Sequence, residues 1–173
     1  MAWESSLVDY PEHLQAIGMV SVEISNLELM LATLFADVCD LREKIAHAIY
    51  FAPRATALRV EILRVAADVA LRQAHPNPDP SDAEKQLTER MDGHRRKVLA
   101  ICRRSLSVIQ KRHDVMHAVW LVDRKTSEVF RGSIQAAADR NQAPVPLHEL
   151  TDLVRAIRAV IDDAEHTIDE RYC

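Results

Sequence analysis

Hydrophobic residues recur at steps of three and four along most of the chain, which is the spacing of amphipathic helices. The first run predicts a helix that starts near Asp9–Pro11, where a proline in the first turn costs no hydrogen bond. A similar run from Leu147 predicts a last helix. The buried face of the first helix is predicted to be Val20, Ile24, Leu27, Leu31, Leu34 and Val38.

Two shorter helices are predicted after the first. Asp40 is suited to cap a segment Leu41–Tyr50, and Pro53–Gln73 has the composition of another helix that a proline opens. The sequence HPNPDPS, at about residues 75–81, contains three prolines, which cannot continue a helix. We expect a break there inside a single helical domain that covers residues 1–173.

A long basic helix is predicted after this break. Ser81 followed by Glu84 is a capping box, and the helix should run to about Lys111. Beyond Trp120 the period changes, and WLVD and EVFRGSI, separated by RKTS, predict a short hairpin or an extended excursion. The expected fold is therefore all-α, a four-to-five-helix up-and-down bundle with this excursion before the last helix.

Composition agrees with a helical protein. Three glycines and seven prolines among 173 residues are fewer than a protein with many turns needs. Aromatic residues make up 5% of the chain, which is low for a protein built from many strands. Three widely spaced cysteines without a CxxC suit reduced thiols in a cytoplasmic protein. Neither a signal peptide nor a membrane span is expected from the sequence, so we expect no membrane partner.

Charge is distributed unevenly. The formal net charge of −4 argues against nucleic acid as a partner of the whole surface. Between Arg90 and Arg112, however, basic residues greatly outnumber the single acid Asp92, whereas the last segment is acidic. Two interpretations stay open: a local basic face that contacts phosphate, or a basic helix paired with acidic neighbours.

The stretch QKRHDVMHAVW (110–120) combines ionisable and apolar residues, and three hypotheses account for it. In the first, His113 and His117 lie on one helical face as metal ligands, and HDVMH resembles HExxH with aspartate for glutamate. In the second, they are hydrogen-bonded residues of the core, and Arg112 pairs with an acid such as Glu28. In the third, the stretch is a metal-free acid–base site.

The third hypothesis rests on a resemblance. The sequence RHDVMH has the form R-x4-H with a polar residue after the arginine, and it resembles the motif of the HEPN superfamily. SNLELML in the first helix and AVW after the histidine are also similar to bacterial members, although Ala118 stands where glycine is expected. The resemblance implies an all-α fold that binds nucleotides, and in many members a metal-independent endoribonuclease without cofactor.

The resemblance also implies roles for residues. His117 would be a general acid or base, and Arg112 would hold phosphate oxygens. His113 or Asp114 would orient or polarise them. The predicted binding residues are Lys111, Glu28 and Trp120, the last either packed in the core or stacked on a base.

A homodimer is expected from the geometry of the motif. Arg112 and His117 are five residues apart, which is about 140° of rotation on a straight helix. A twofold axis can place two such pairs around one cleft, and family members resemble this arrangement. The expected ligand is RNA or a nucleotide. The alternative is a non-catalytic module that binds a cognate protein, as in a toxin–antitoxin or defence pair.

Overall fold

A computed structural model describes residues 3–4, 7–71, 81–123, 125–132 and 144–170. Within these residues, five helices form the bundle: α1 (Pro11–Cys39), α2 (Glu43–Phe51), α3 (Thr56–Ala70), α4 (Asp82–Met116) and α5 (Leu147–Asp169). Strands β1 (Trp3–Glu4), β2 (Val119–Asp123) and β3 (Glu128–Gly132) form a small antiparallel sheet in the order β1-β2-β3. The predicted all-α bundle with a short hairpin is confirmed.

The core forms where α1 packs against α3, α4 and α5. All six residues predicted on the inner face of α1 are buried, because their spacing keeps them on one side of the helix. Ser81 and Glu84 cap α4 reciprocally, as the capping box predicts. α5 begins at Leu147, also as predicted.

The direction of the long helices follows from contacts between them. His94 of α4 pairs with Asp37 near the end of α1, and Met116 of α4 contacts Ser21 near its start. α4 is therefore antiparallel to α1. Lys97 and Arg104 of α4 pair with Glu170 and Asp163 of α5, which makes α4 antiparallel to α5 as well.

Several predicted boundaries were wrong. Asp40 does not cap the second helix; it ends α1 in the left-handed region (φ 51°), and its N–H donates to the carbonyls of Ala36 and Asp37. The next helix begins only at Glu43, and α3 begins at Thr56 rather than at Pro53. The predicted break at residues 75–81 lies outside the described residues except at Ser81.

α1 also bears on the expectation about membranes. It is long and apolar enough to cross one by length and composition, with a mean hydropathy of 1.4 over its best window. Half of that window is buried inside the bundle, and the core helix of a soluble protein passes the same test.

Candidate functional site

The end of α4 carries the predicted motif. The helix continues past Lys111 to Met116, and His117 occupies its C-cap, where its N–H donates to the carbonyl of His113 at 3.1 Å. One helical turn separates the two histidines, so their rings lie side by side with centroids 4.4 Å apart at 45°. Both residues are exposed. The structure thus brings His113 and His117 together at the surface.

Arg112 lies at the same helix end, half-buried beside these histidines in sequence. Its Nε is enclosed and has no hydrogen-bond partner. Within the described part of the chain, no ion pair or hydrogen bond joins its guanidinium to an acid or to His117. A partly desolvated cation without a counter-charge is unfavourable, so an anion would find an available partner here.

Two other cations of the basic helix are neutralised by acids in or directly after α5. Lys97 pairs with Glu170, and Arg104 pairs with Asp163. Because the helices run in opposite directions, the step from the first pair to the second is seven residues forward in α4 and seven residues back toward the start of α5. The hydrogen bond from Lys97 lowers the pKa of Glu170. The next step of seven leads to Lys111 in α4 but to Ala156 in α5, which offers no carboxylate. The ion pairs between α4 and α5 therefore end just before the motif.

The remaining predicted residues surround this end of α4 in different ways. Lys111 is exposed, and Asp114 is exposed and accepts a hydrogen bond from Gln110 at 3.1 Å. Trp120 is half-buried; it packs against the core, and its Nε1 donates to the carbonyl of Val115 at 3.2 Å. The ring of Trp120 accordingly belongs to the packing that holds the motif in place.

The expected pair of Glu28 with Arg112 was wrong. Glu28 instead accepts from Arg59 of α3 at 3.1 Å and from the hydroxyl of Thr56. The physical reason is helix register: the end of α4 contacts α1 at Ser21, seven residues or about 10 Å before Glu28. At the level of Glu28, the helix that provides a cation to α1 is α3, through Arg59.

Sequence inspection also missed the partners of two buried acids. Asp37 of α1 lies 3.3 Å from His94 of α4, and Glu23 of α1 accepts from Arg158 of α5 at 2.7 Å. The available signal was an acid on the apolar side of α1 in each case, since Asp37 precedes Val38 and Glu23 precedes Ile24. Such an acid requires a partner, but the sequence does not reveal which helix provides it.

A metal centre would need more ligands than the two histidines. Among the residues that the structure describes, no group of three or more His, Cys, Asp or Glu side chains could hold a metal ion.

Comparison with known proteins finds no matching family model, no similar curated protein and no similar solved structure.

The pairing of Glu28 can be measured with a double-mutant cycle. Glu28→Gln combined with Arg59→Gln should give a coupling free energy of about 1–3 kcal/mol, because the two partners are largely buried and hydrogen-bonded. Urea unfolding followed by circular dichroism gives the free energies of unfolding of the four proteins.

The matched control is the cycle of Glu28→Gln with Arg112→Gln. It should give a coupling within about 0.5 kcal/mol of zero, since the two residues share no contact. A larger coupling to Arg112 than to Arg59 would contradict the assignment.

Proposed function

We propose that the protein is a HEPN-like homodimer that binds RNA and cleaves it without a metal ion, with Arg112 and His117 at the centre of the site. The observation that carries this proposal is the half-buried Arg112, which has no counter-charge among the described residues and shares its helix end with two exposed histidines in ring contact. The phosphate of RNA supplies the missing negative charge, and the guanidinium fork matches two of its oxygens.

The chemistry needs only groups that RNA and this helix end provide. The 2′-oxygen attacks the neighbouring phosphorus while the bond from phosphorus to the 5′-oxygen breaks. One imidazole of the pair His113 and His117 accepts the proton of the 2′-hydroxyl, and an imidazolium donates a proton to the leaving 5′-oxygen. Arg112 stabilises the charge that develops on the phosphorane. The products are a 2′,3′-cyclic phosphate and a 5′-hydroxyl.

A dimer is supported by an exposed apolar stripe on α1, formed by Leu14, Gly18, Val22, Ser25 and Leu29 at steps of three and four. Val22 and Leu29 are each 53% exposed. A side chain at Gly18 would meet nothing within 4 Å inside this chain, yet a glycine within a helix is unfavourable by about 0.5–1 kcal/mol relative to alanine. A second helix packed closely across Gly18 would account for both features.

This stripe borders the motif. Ser21, at its edge, donates to the sulfur of Met116 at 3.2 Å. A twofold contact between α1 helices would therefore bring the ends of two α4 helices to the same side of the dimer. The unpaired cations and histidines of both protomers would then line one cleft, which suits a composite site.

A second candidate function is a non-catalytic module that binds a cognate protein. It is supported by a separate apolar face on α2 and α3, whose exposed members are Ile45, Ile49, Leu58, Val65 and Val69. Exposed apolar patches of this kind mark interaction surfaces. In that function, the residues at the end of α4 would serve binding or packing rather than catalysis.

Cleavage of end-labelled single-stranded RNA and bulk tRNA in EDTA tests the proposal. His117→Ala should reduce the rate by about 10²–10⁴-fold because it removes a proton-transfer group. Arg112→Ala should reduce it by about 10²–10³-fold because it removes the phosphate-stabilising charge. The wild-type products should carry cyclic phosphate ends.

The matched control is Arg103→Ala, which removes an exposed arginine of the same helix that donates to the carbonyl of Leu99. This variant should cleave at the wild-type rate within about twofold. Absence of cleavage by a folded wild-type protein, or equal loss in Arg103→Ala and Arg112→Ala, would favour the protein-binding module.

The dimer interface is tested with paired lysine substitutions. Val22→Lys places a charge in the stripe on α1 and should convert the dimer to a monomer in sedimentation velocity at tens of micromolar. Val69→Lys, on the apolar face of α3, should leave it dimeric. A wild-type protein that sediments as a monomer, or a dimer that only Val69→Lys dissociates, would rule out the interface on α1.

A further inference from the structure

A cavity of about 550 Å³ lies beside the first half of α4. Its lining comes from the end of α3, from α4 and from Glu170 after α5. His94 in its wall is about 18 residues before Arg112, or roughly 27 Å along the helix. The cavity is thus separate from the motif, and its volume falls within the range of small-molecule sites, about 300–1,000 Å³.

A buried carboxylate supports the histidine of this cavity. Asp37 of α1 has a side chain only 3% exposed, and its Oδ2 lies 3.3 Å from Nε2 of His94, whose side chain is 13% exposed. Nε2 is enclosed on the side of Asp37. The other ring nitrogen, Nδ1, has no protein partner among the described residues. Because Asp37 lies beside Nε2, Nδ1 is the ring nitrogen left to contact an anion.

Two cations share this face of α4. Arg90, His94 and Lys97 follow one another at steps of four and three, which places them on one side of the helix. Lys97 is paired with Glu170, whereas Arg90 is exposed and forms no ion pair with the described residues. The polar part of the cavity is therefore positive, with Arg90 as its uncompensated charge.

Other residues of the lining are apolar. Leu71 is buried at the end of α3, Met91 is half-buried, and Leu87 is exposed at the rim. An exposed leucine beside a cavity loses water contact when an apolar group enters. The cavity thus combines a hydrophobic wall with a cationic edge, which is the complement of an amphiphilic anion.

We propose that this cavity binds a small amphiphilic anion, an apolar chain that ends in a carboxylate or phosphate group. Arg90 and His94 contact the anionic head, and Leu71, Leu87 and Met91 surround the chain. This function is independent of RNA cleavage, because no residue of the motif lines the cavity.

Isothermal titration calorimetry with octanoate, octyl phosphate and octanamide tests the proposal on the full chain. Octanoate or octyl phosphate should bind, and the tighter of the two identifies the head group. Octanamide, which has the same chain without charge, should bind at least about tenfold more weakly. Arg90→Ala should weaken binding of the preferred anion by about tenfold for the same reason.

Arg96→Ala is the matched control, because Arg96 is an exposed arginine of the same helix that does not line the cavity. It should leave the affinity unchanged. His94→Gln should also weaken binding. This substitution removes the ring beside the buried Asp37, so the variant can fail to fold. In that case Arg90→Ala decides the test. Equal affinity for octanamide, equal effects of the two arginine variants, or absence of binding to either anion would overturn the proposal.

Discussion

The alignment of cations on α4 with acids at the end of α5 determines which cations near the end of α4 are left to bind an anion. Cations of α4 recur every seven residues and meet acids of α5 at Lys97–Glu170 and Arg104–Asp163. Because α5 continues with Ala156, Lys111 has no acid at the corresponding position, and Arg112 follows it directly. An acidic protein therefore keeps a local cationic region at one helix end. The pairs with α5 neutralise part of the basic stretch, and its last turn keeps cations that have no acid partner among the described residues, as expected of a phosphate-binding surface.

The end of a helix also suits the chemistry proposed for it. His113 and His117 lie one turn apart at the end of α4, and the indole of Trp120 in β2 donates to the carbonyl of Val115. An enclosed Nε on Arg112 without a partner reduces stability. Such an uncompensated group is more readily understood as part of a binding site than as a packing device.

Local patterns predicted local structure well. The spacing of Leu27 and Leu31, the capping box at Ser81 and the change of period after Trp120 each depend on neighbours in sequence, and each is confirmed. Features that depend on tertiary register were not predicted. Glu28 pairs with Arg59 rather than Arg112 because two helices cross there, and the two-residue strand β1 forms only because β2 offers an edge. The side-by-side histidines followed from spacing, but the absence of an acid beside Arg112 required the fold.

The central claim is that Arg112 recognises a phosphate beside the two histidines. The most direct measurement is NMR of the arginine Nε–Hε and histidine ring signals during titration with an uncleavable 2′-deoxydinucleotide in EDTA, with Arg112→Lys and His117→Gln used for assignment. The signals of Arg112, His113 and His117 should shift together and saturate at one ligand concentration. Shifts confined to other arginines, or histidine signals that do not change while the ligand binds, would contradict it.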